Sequence, residues 1–136
     1  MCGIAGIISA DLNETLDKKL IQDMIDLLIH RGPDGYGTFH DKGISLGHRR
    51  LSIIDIEGGH QPMSSEDGMI IVTYNGEIYN YRELRHELTE QGIRFRTESD
   101  TEVIIELYRR EGAKAVDALR GMYGFAIWDT QEKGLF

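Results

Sequence analysis

The chain has 136 residues, 40% of them hydrophobic and 28% charged, with a formal net charge of −8. That length suits one domain with a real core, since domains commonly run to about 100–150 residues. The acidic balance excludes phosphate backbones and anionic membranes as principal partners, and no basic stripe offsets it, because RR pairs occur only at Arg49-Arg50 and Arg109-Arg110.

In chain order, Gly3–Ser9 reads as a short buried strand, apolar and uncharged. Asp11–Thr15 breaks it, and Leu16, Leu20, Met24, Leu27 and Leu28 then recur at helical spacing up to Gly32-Pro33. HRGPDGYG at 30–37 is a turn-dense loop. Tyr36–His40 and Ile44–Ile54 read as strands around the turn Asp41-Lys42-Gly43, and Ile56–Gly68 as a loop. Met69–Tyr74 is a strand running into Asn75-Gly76, the strongest short-range hairpin signal. A helix around Tyr81, Leu84 and Leu88 closes at Gly92, and Ile93–Thr97 reads as a strand. Ser99-x-x-Glu102 forms a capping box for a helix carrying Val103, Ile104, Leu107 and Tyr108. A shorter helix over Ala115–Leu119 follows, then a strand over Met122–Trp128 and a turn over Thr130–Gly134.

Helices and strands mix, so an α+β or layered architecture is expected. There is no repeat or flexible linker. The sequence stops as a further strand begins, so an incomplete domain is expected. No apolar run approaches the ~20 residues of a bilayer span, and MCGIAGIISA lacks the basic flank of a signal peptide. A single cysteine cannot close an intramolecular disulfide, so the expected location is cytoplasmic.

Cys2 is the first candidate for chemistry. A lone cysteine in an apolar strand is ordinarily inert core. Removal of Met1, however, would place a free α-amine beside the thiol. An α-amine is roughly one-third neutral near pH 7.5. It is thus a base able to activate the thiol without a histidine. Asn75-Gly76 reads either as a plain turn or as paired N–H donors aimed at one oxygen, the layout of an oxyanion hole. In LGHRRLSII, alternation sends one arginine outward and one inward, and an inward Arg50 needs a carboxylate partner. Glu77 and Asp100 are correspondingly placed to hold an ammonium; as alternatives they are surface charges, and Asp100 opens a capped helix. The five histidines, at 30, 40, 48, 60 and 86, show no metal-ligand spacing, and there is no P-loop, G-x-G-x-x-G or G-x-S-x-G. No metal site is expected.

Six blocks together carry a resemblance: MCGIAGII, HRGPDGYG at 30–37, GHRRLSIID at 47–55, YNGEIYNY at 74–81, ESDTEVI at 98–104 and GMYGFAIWD at 121–129. In this order they resemble the glutaminase domain of glutamine-hydrolysing asparagine synthetases, which are class II glutamine amidotransferases of the N-terminal-nucleophile hydrolase fold. Glucosamine-phosphate synthase glutaminases carry an HTRWATHG-type segment where this chain has GHRRLSIID. The resemblance implies a four-layer αββα sandwich of two antiparallel sheets. It implies Cys2 as nucleophile, Asn75 and Gly76 as oxyanion hole, and Arg50 on the glutamine α-carboxylate. The segment of Leu51, Ser52, Ile53 and Ile54 would line the same pocket, with Glu77 and Asp100 around the α-ammonium. No cofactor is implied for this part. ATP and magnesium belong to a C-terminal synthetase domain whose SGG-x-DS-type loop is absent from this chain. The expected partners are glutamine and that domain, with no nucleic acid or membrane and with oligomerisation open. The rival readings are a glutaminase serving another acceptor, and a catalytically silent binding or scaffold module.

Overall fold

Alternation along a strand sends successive side chains to opposite faces, and here it sorts them into layers. The computed structural model describes residues 1–52, 55 and 58–136. One antiparallel sheet contains β1 (Gly3–Ile8), β2 (Gly35–Asp41) and β3 (Ile44–Arg50), in the order β1-β3-β2. The other contains β4 (Met63–Ser64), β5 (Ile70–Ile78), β6 (Gly121–Asp129) and β7 (Gly134–Leu135), in that order. On β3, Ile44 and Leu46 meet Ile71 and Trp128 of the second sheet, forming the sheet-to-sheet core. Val72 and Tyr74 of β5 and Ile127 of β6 face the other way, onto α2 (Tyr81–Glu90), α3 (Asp100–Glu111) and a 3₁₀ helix over Gly112–Ala118. With α1 (Lys18–Asp26) on the first sheet, the layers are helix, sheet, sheet, helix, the αββα sandwich expected from the resemblance.

The buried face of α1 is not the expected one. Ile21 and Ile25 are 0% exposed, whereas Leu20 is 52% and Leu27 78% exposed. Gly47 explains the seating: a Cβ there would lie 2.5 Å from Ile25 Cγ2, so the two β-branched residues dock into a notch on β3. Arg49 faces this helix too. Its Nε donates to the Ile25 carbonyl oxygen at 2.9 Å, its guanidinium pairs with Asp26, and it lies 5.0 Å from the Tyr36 ring centroid. It is therefore directed away from Arg50, but buried rather than solvated.

Other differences come from long-range pairing. Asn75-Gly76 makes no hairpin; β5 runs straight through it, with Asn75 opposite Gly124 and Gly76 opposite Tyr123 on β6. A Cβ on Gly76 would come 2.3 Å from the Met122 carbonyl oxygen, so the glycine serves close strand approach instead of a turn. Met63–Ser64, within the expected loop, pairs as an edge strand with Val72 and Ile71. β3 leaves the ladder at Arg50, so Leu51 and Ser52 of the expected strand fall beyond it, and its expected end at Ile53 and Ile54 lies outside the described residues.

The expected strand Ile93–Thr97 is irregular. The buried Glu102 carboxylate accepts from the backbone N–H groups of Arg96 at 2.9 Å and Thr97 at 2.7 Å, replacing a ladder. Glu102 thus serves the upstream chain rather than returning to Ser99, so only half of the capping box forms. The Ser99 hydroxyl does cap α3, accepting from Thr101 N–H at 3.2 Å.

His48 bridges the two sheets. Its Nδ1 lies 3.2 Å from Thr73 Oγ1, while Nε2 is buried with no partner among the described residues. Burial, and secondarily the Arg50 charge, lower its pKa from 6.5 to about 4. The unfolded chain binds a proton near pH 6.5 that the folded chain refuses until about pH 4, so stability present above pH 6.5 is lost as pH falls through this window. The loss should reach roughly 3 kcal/mol. Denaturant titrations across that range should show His48→Gln with a flatter acid limb than wild type; equal slopes would refute the assignment.

Candidate active site

The β1–β3 register places Gly3 opposite Arg49, so Cys2, one residue earlier, falls level with Arg50 at the end of the sandwich. There the Leu51 N–H donates to Cys2 Sγ at 3.3 Å. Arg31, from the turn-dense loop, holds the Cys2 carbonyl oxygen through Nε at 2.9 Å. The start of the chain is thereby fixed against both β3 and the loop before β2. Met1 beyond it is 64% exposed and lines the mouth of the cavity into which Cys2 faces.

That cavity measures about 210 Å³. Cys2, Arg50 and Leu51 form one wall, Asn75, Gly76 and Glu77 of β5 another, and Ser99, Asp100 and Thr101 at the start of α3 a third. Four separate stretches of sequence named as candidates converge here. Ser52 lies outside it, beside the next concavity with Asp34, whose carboxylate accepts the Ser52 N–H at 2.8 Å. Ile53 and Ile54 lie outside the described residues.

Charge is divided across the cavity. Arg50 is buried, and its guanidinium donates to the Asp55 carbonyl oxygen. Gly59 lets it lie there, because a Cβ at that position would come 2.4 Å from Arg50 Nη2. Opposite are the exposed Glu77 and the buried Asp100. Asp100 Oδ2 accepts from the Tyr74 hydroxyl at 2.7 Å and from Ile78 N–H at 3.3 Å. Burial raises the Asp100 pKa, and these hydrogen bonds oppose the rise. The Tyr74 hydroxyl is held protonated, by burial first and then by the Asp100 charge. A cation facing two carboxyl groups across a small cavity complements a zwitterionic amino acid.

Asn75 shares the Thr73 face of β5 by alternation, and its Oδ1 is buried without a partner among the described residues. An amide left unsatisfied in this way is rare and commonly functional. Among the described residues, no group of three His, Cys, Asp or Glu is placed to hold a metal ion.

Sequence reasoning missed four residues of this site: Arg31, Gln61, Tyr74 and Thr101. Tyr74 offered a signal, since a tyrosine within an apolar strand needs a buried partner for its hydroxyl. Arg31, Gln61 and Thr101 sit in loop or capping contexts where local pattern says nothing of the long-range partner.

Comparison with known proteins gives the same grouping. The glutamine amidotransferase domain family matches residues 1–136. The chain is 47% identical over 138 residues to asparagine synthetase [glutamine-hydrolyzing] 1 of Bacillus subtilis (strain 168), covering 100% of this chain and 22% of that protein. It is 42% identical over 133 residues to asparagine synthetase [glutamine-hydrolyzing] 3 of Arabidopsis thaliana, covering 98% of this chain and 23% of that protein. It therefore spans under a quarter of the length of either relative. A solved glutamine phosphoribosylpyrophosphate amidotransferase from B. subtilis matches with a TM-score of 0.75 and 23% identity, over 93% of this chain and 35% of that one, a likeness of fold. By sequence over its whole length, this chain belongs to the glutamine amidotransferase domain family.

Proposed function

We propose that this chain hydrolyses glutamine to glutamate and ammonia through a thioester on Cys2. The observation that carries the reading is the convergence of Cys2, Arg50, Asn75, Gly76, Glu77 and Asp100 on one cavity. Removal of Met1 frees the Cys2 α-amine, which takes the thiol proton. Sulfur attacks the glutamine carboxamide carbon. The Asn75 side-chain amide and the Gly76 N–H stabilise the oxyanion. The C–N bond breaks, and ammonia leaves with the proton from the Cys2 α-ammonium. Water, deprotonated by the same amine, then cleaves the C–S bond to release glutamate and restore the thiol. Arg50 holds the substrate α-carboxylate, with Leu51 beside it, while Glu77 and Asp100 hold the α-ammonium.

By analogy with the named relatives, the ammonia serves a C-terminal synthetase domain that makes asparagine. ATP and magnesium belong to that domain in this reading, and no residue of this chain is asked to hold them.

Intact mass before and after exposure to a glutamine-mimicking diazoketone tests the proposal. Loss of Met1 plus one adduct mapped to Cys2 is expected. A Met1-free protein that takes no adduct would overturn it in favour of a silent binding module.

A further inference from the structure

Within the cavity wall the Gln61 carboxamide closes a hydrogen-bonded circuit. Its Oε1 accepts from the Tyr74 backbone N–H at 2.6 Å, and its Nε2 donates to Thr101 Oγ1 at 3.2 Å. The Tyr74 hydroxyl in turn donates to Asp100 Oδ2 at 2.7 Å, and Asp100 precedes Thr101 at the start of α3. Tyr74, Asp100 and Thr101 are all buried.

Local structure explains why a side chain is needed here. β4 is two residues long, and its pairing with β5 reaches only Met63 opposite Val72. The Tyr74 N–H lies beyond that edge and would be buried without an acceptor if Gln61 did not supply one. The Gln61 backbone is itself backed by β2, since a Cβ on Gly37 would lie 2.2 Å from the Gln61 carbonyl oxygen. A single side chain anchored to the first sheet thus ties β5, next to Asn75, to α3, next to Asp100.

We propose that Gln61 is a positioning residue that sets the separation between the oxyanion side of the cavity at Asn75 and the ammonium side at Asp100. It thereby fixes the distance between the carboxamide and α-ammonium of the amino acid accepted. The inference rests on the functional reading above and adds a geometric determinant of substrate length.

Steady-state glutamate release is measured over a range of glutamine concentrations with the Met1-free protein, alongside thermal unfolding. Gln61→Met keeps the shape but loses both hydrogen bonds, and its KM should rise about tenfold while kcat changes less than about threefold. Gln61→Glu can still accept from Tyr74 N–H and from the Thr101 hydroxyl, which turns to donate; its KM should return to within about threefold of wild type. A lower melting temperature in Gln61→Met with unmoved KM would make Gln61 merely structural and overturn the inference. So would a Gln61→Glu protein that behaves as Gln61→Met does. Absence of glutamate release from wild type would overturn the functional reading and this inference with it, whereas wild-type turnover with an unmoved variant KM overturns only the role of Gln61.

Discussion

Cys2→Ala is expected to abolish glutamate release from glutamine, a loss of about 10⁴-fold or more, because the thioester route disappears with its sulfur. Cys2 lies just before β1, and among the described residues its Sγ hydrogen-bonds with Leu51, whose N–H donates at 3.3 Å and whose carbonyl oxygen lies 3.6 Å away. The Cys2 carbonyl oxygen, which receives Arg31, remains in the alanine variant. The fold should therefore survive. Unchanged far-UV circular dichroism and melting temperature, with no diazoketone adduct and no glutamate, are the expected combination. Glutamate release retained in the variant would remove Cys2 from the mechanism.

Asn75→Ala should lower kcat by about 10²–10³, the scale for one lost oxyanion donor. The structure adds a discriminating feature. Asn75 Oδ1 is buried and has no partner among the described residues, so the side chain contributes little hydrogen-bonding stabilisation. The alanine variant should accordingly be as stable as wild type, or slightly more so, while losing most of its activity. Asn75→Asp keeps the shape, but turns a donor into an anion facing the developing oxyanion, so it should lose more than the alanine variant. Equal kcat in wild type and Asn75→Ala, measured at saturating glutamine, would refute the role. Loss of stability in step with activity would instead assign Asn75 to the fold.

Much of this architecture was legible from local pattern. Ile44, Leu46 and His48 lie between the sheets, while Gly47 and Arg49 meet α1, which is the alternation readable in ISLGHRR. The Ser99 cap marks the start of α3, and every candidate side chain within the described residues, Ser52 excepted, lines a single cavity.

What stayed hidden depended on partners distant in the chain. Asn75-Gly76 has the composition of a turn, but β6 pairs with it from Tyr123 and Gly124, and only that pairing makes it a strand. The periodicity of α1 offers two adjacent apolar stripes; the Gly47 notch on β3 selects Ile21 and Ile25 over Leu20 and Met24. Ile93–Thr97 has strand composition, yet its N–H groups at Arg96 and Thr97 go to Glu102.

By itself, then, the sequence determined most of the order of helices and strands, which strand residues alternate toward a core, and which residue types were candidates for chemistry. These follow from covalent periodicity and from residue type. The tertiary structure alone decided that the Gln61 carboxamide spans Tyr74 and Thr101, that Arg31 holds Cys2, and that Arg49 turns to α1 while Arg50 turns to the cavity. Each of these is a contact between segments distant in sequence, chosen because burial leaves a polar group needing a partner that only another element can bring.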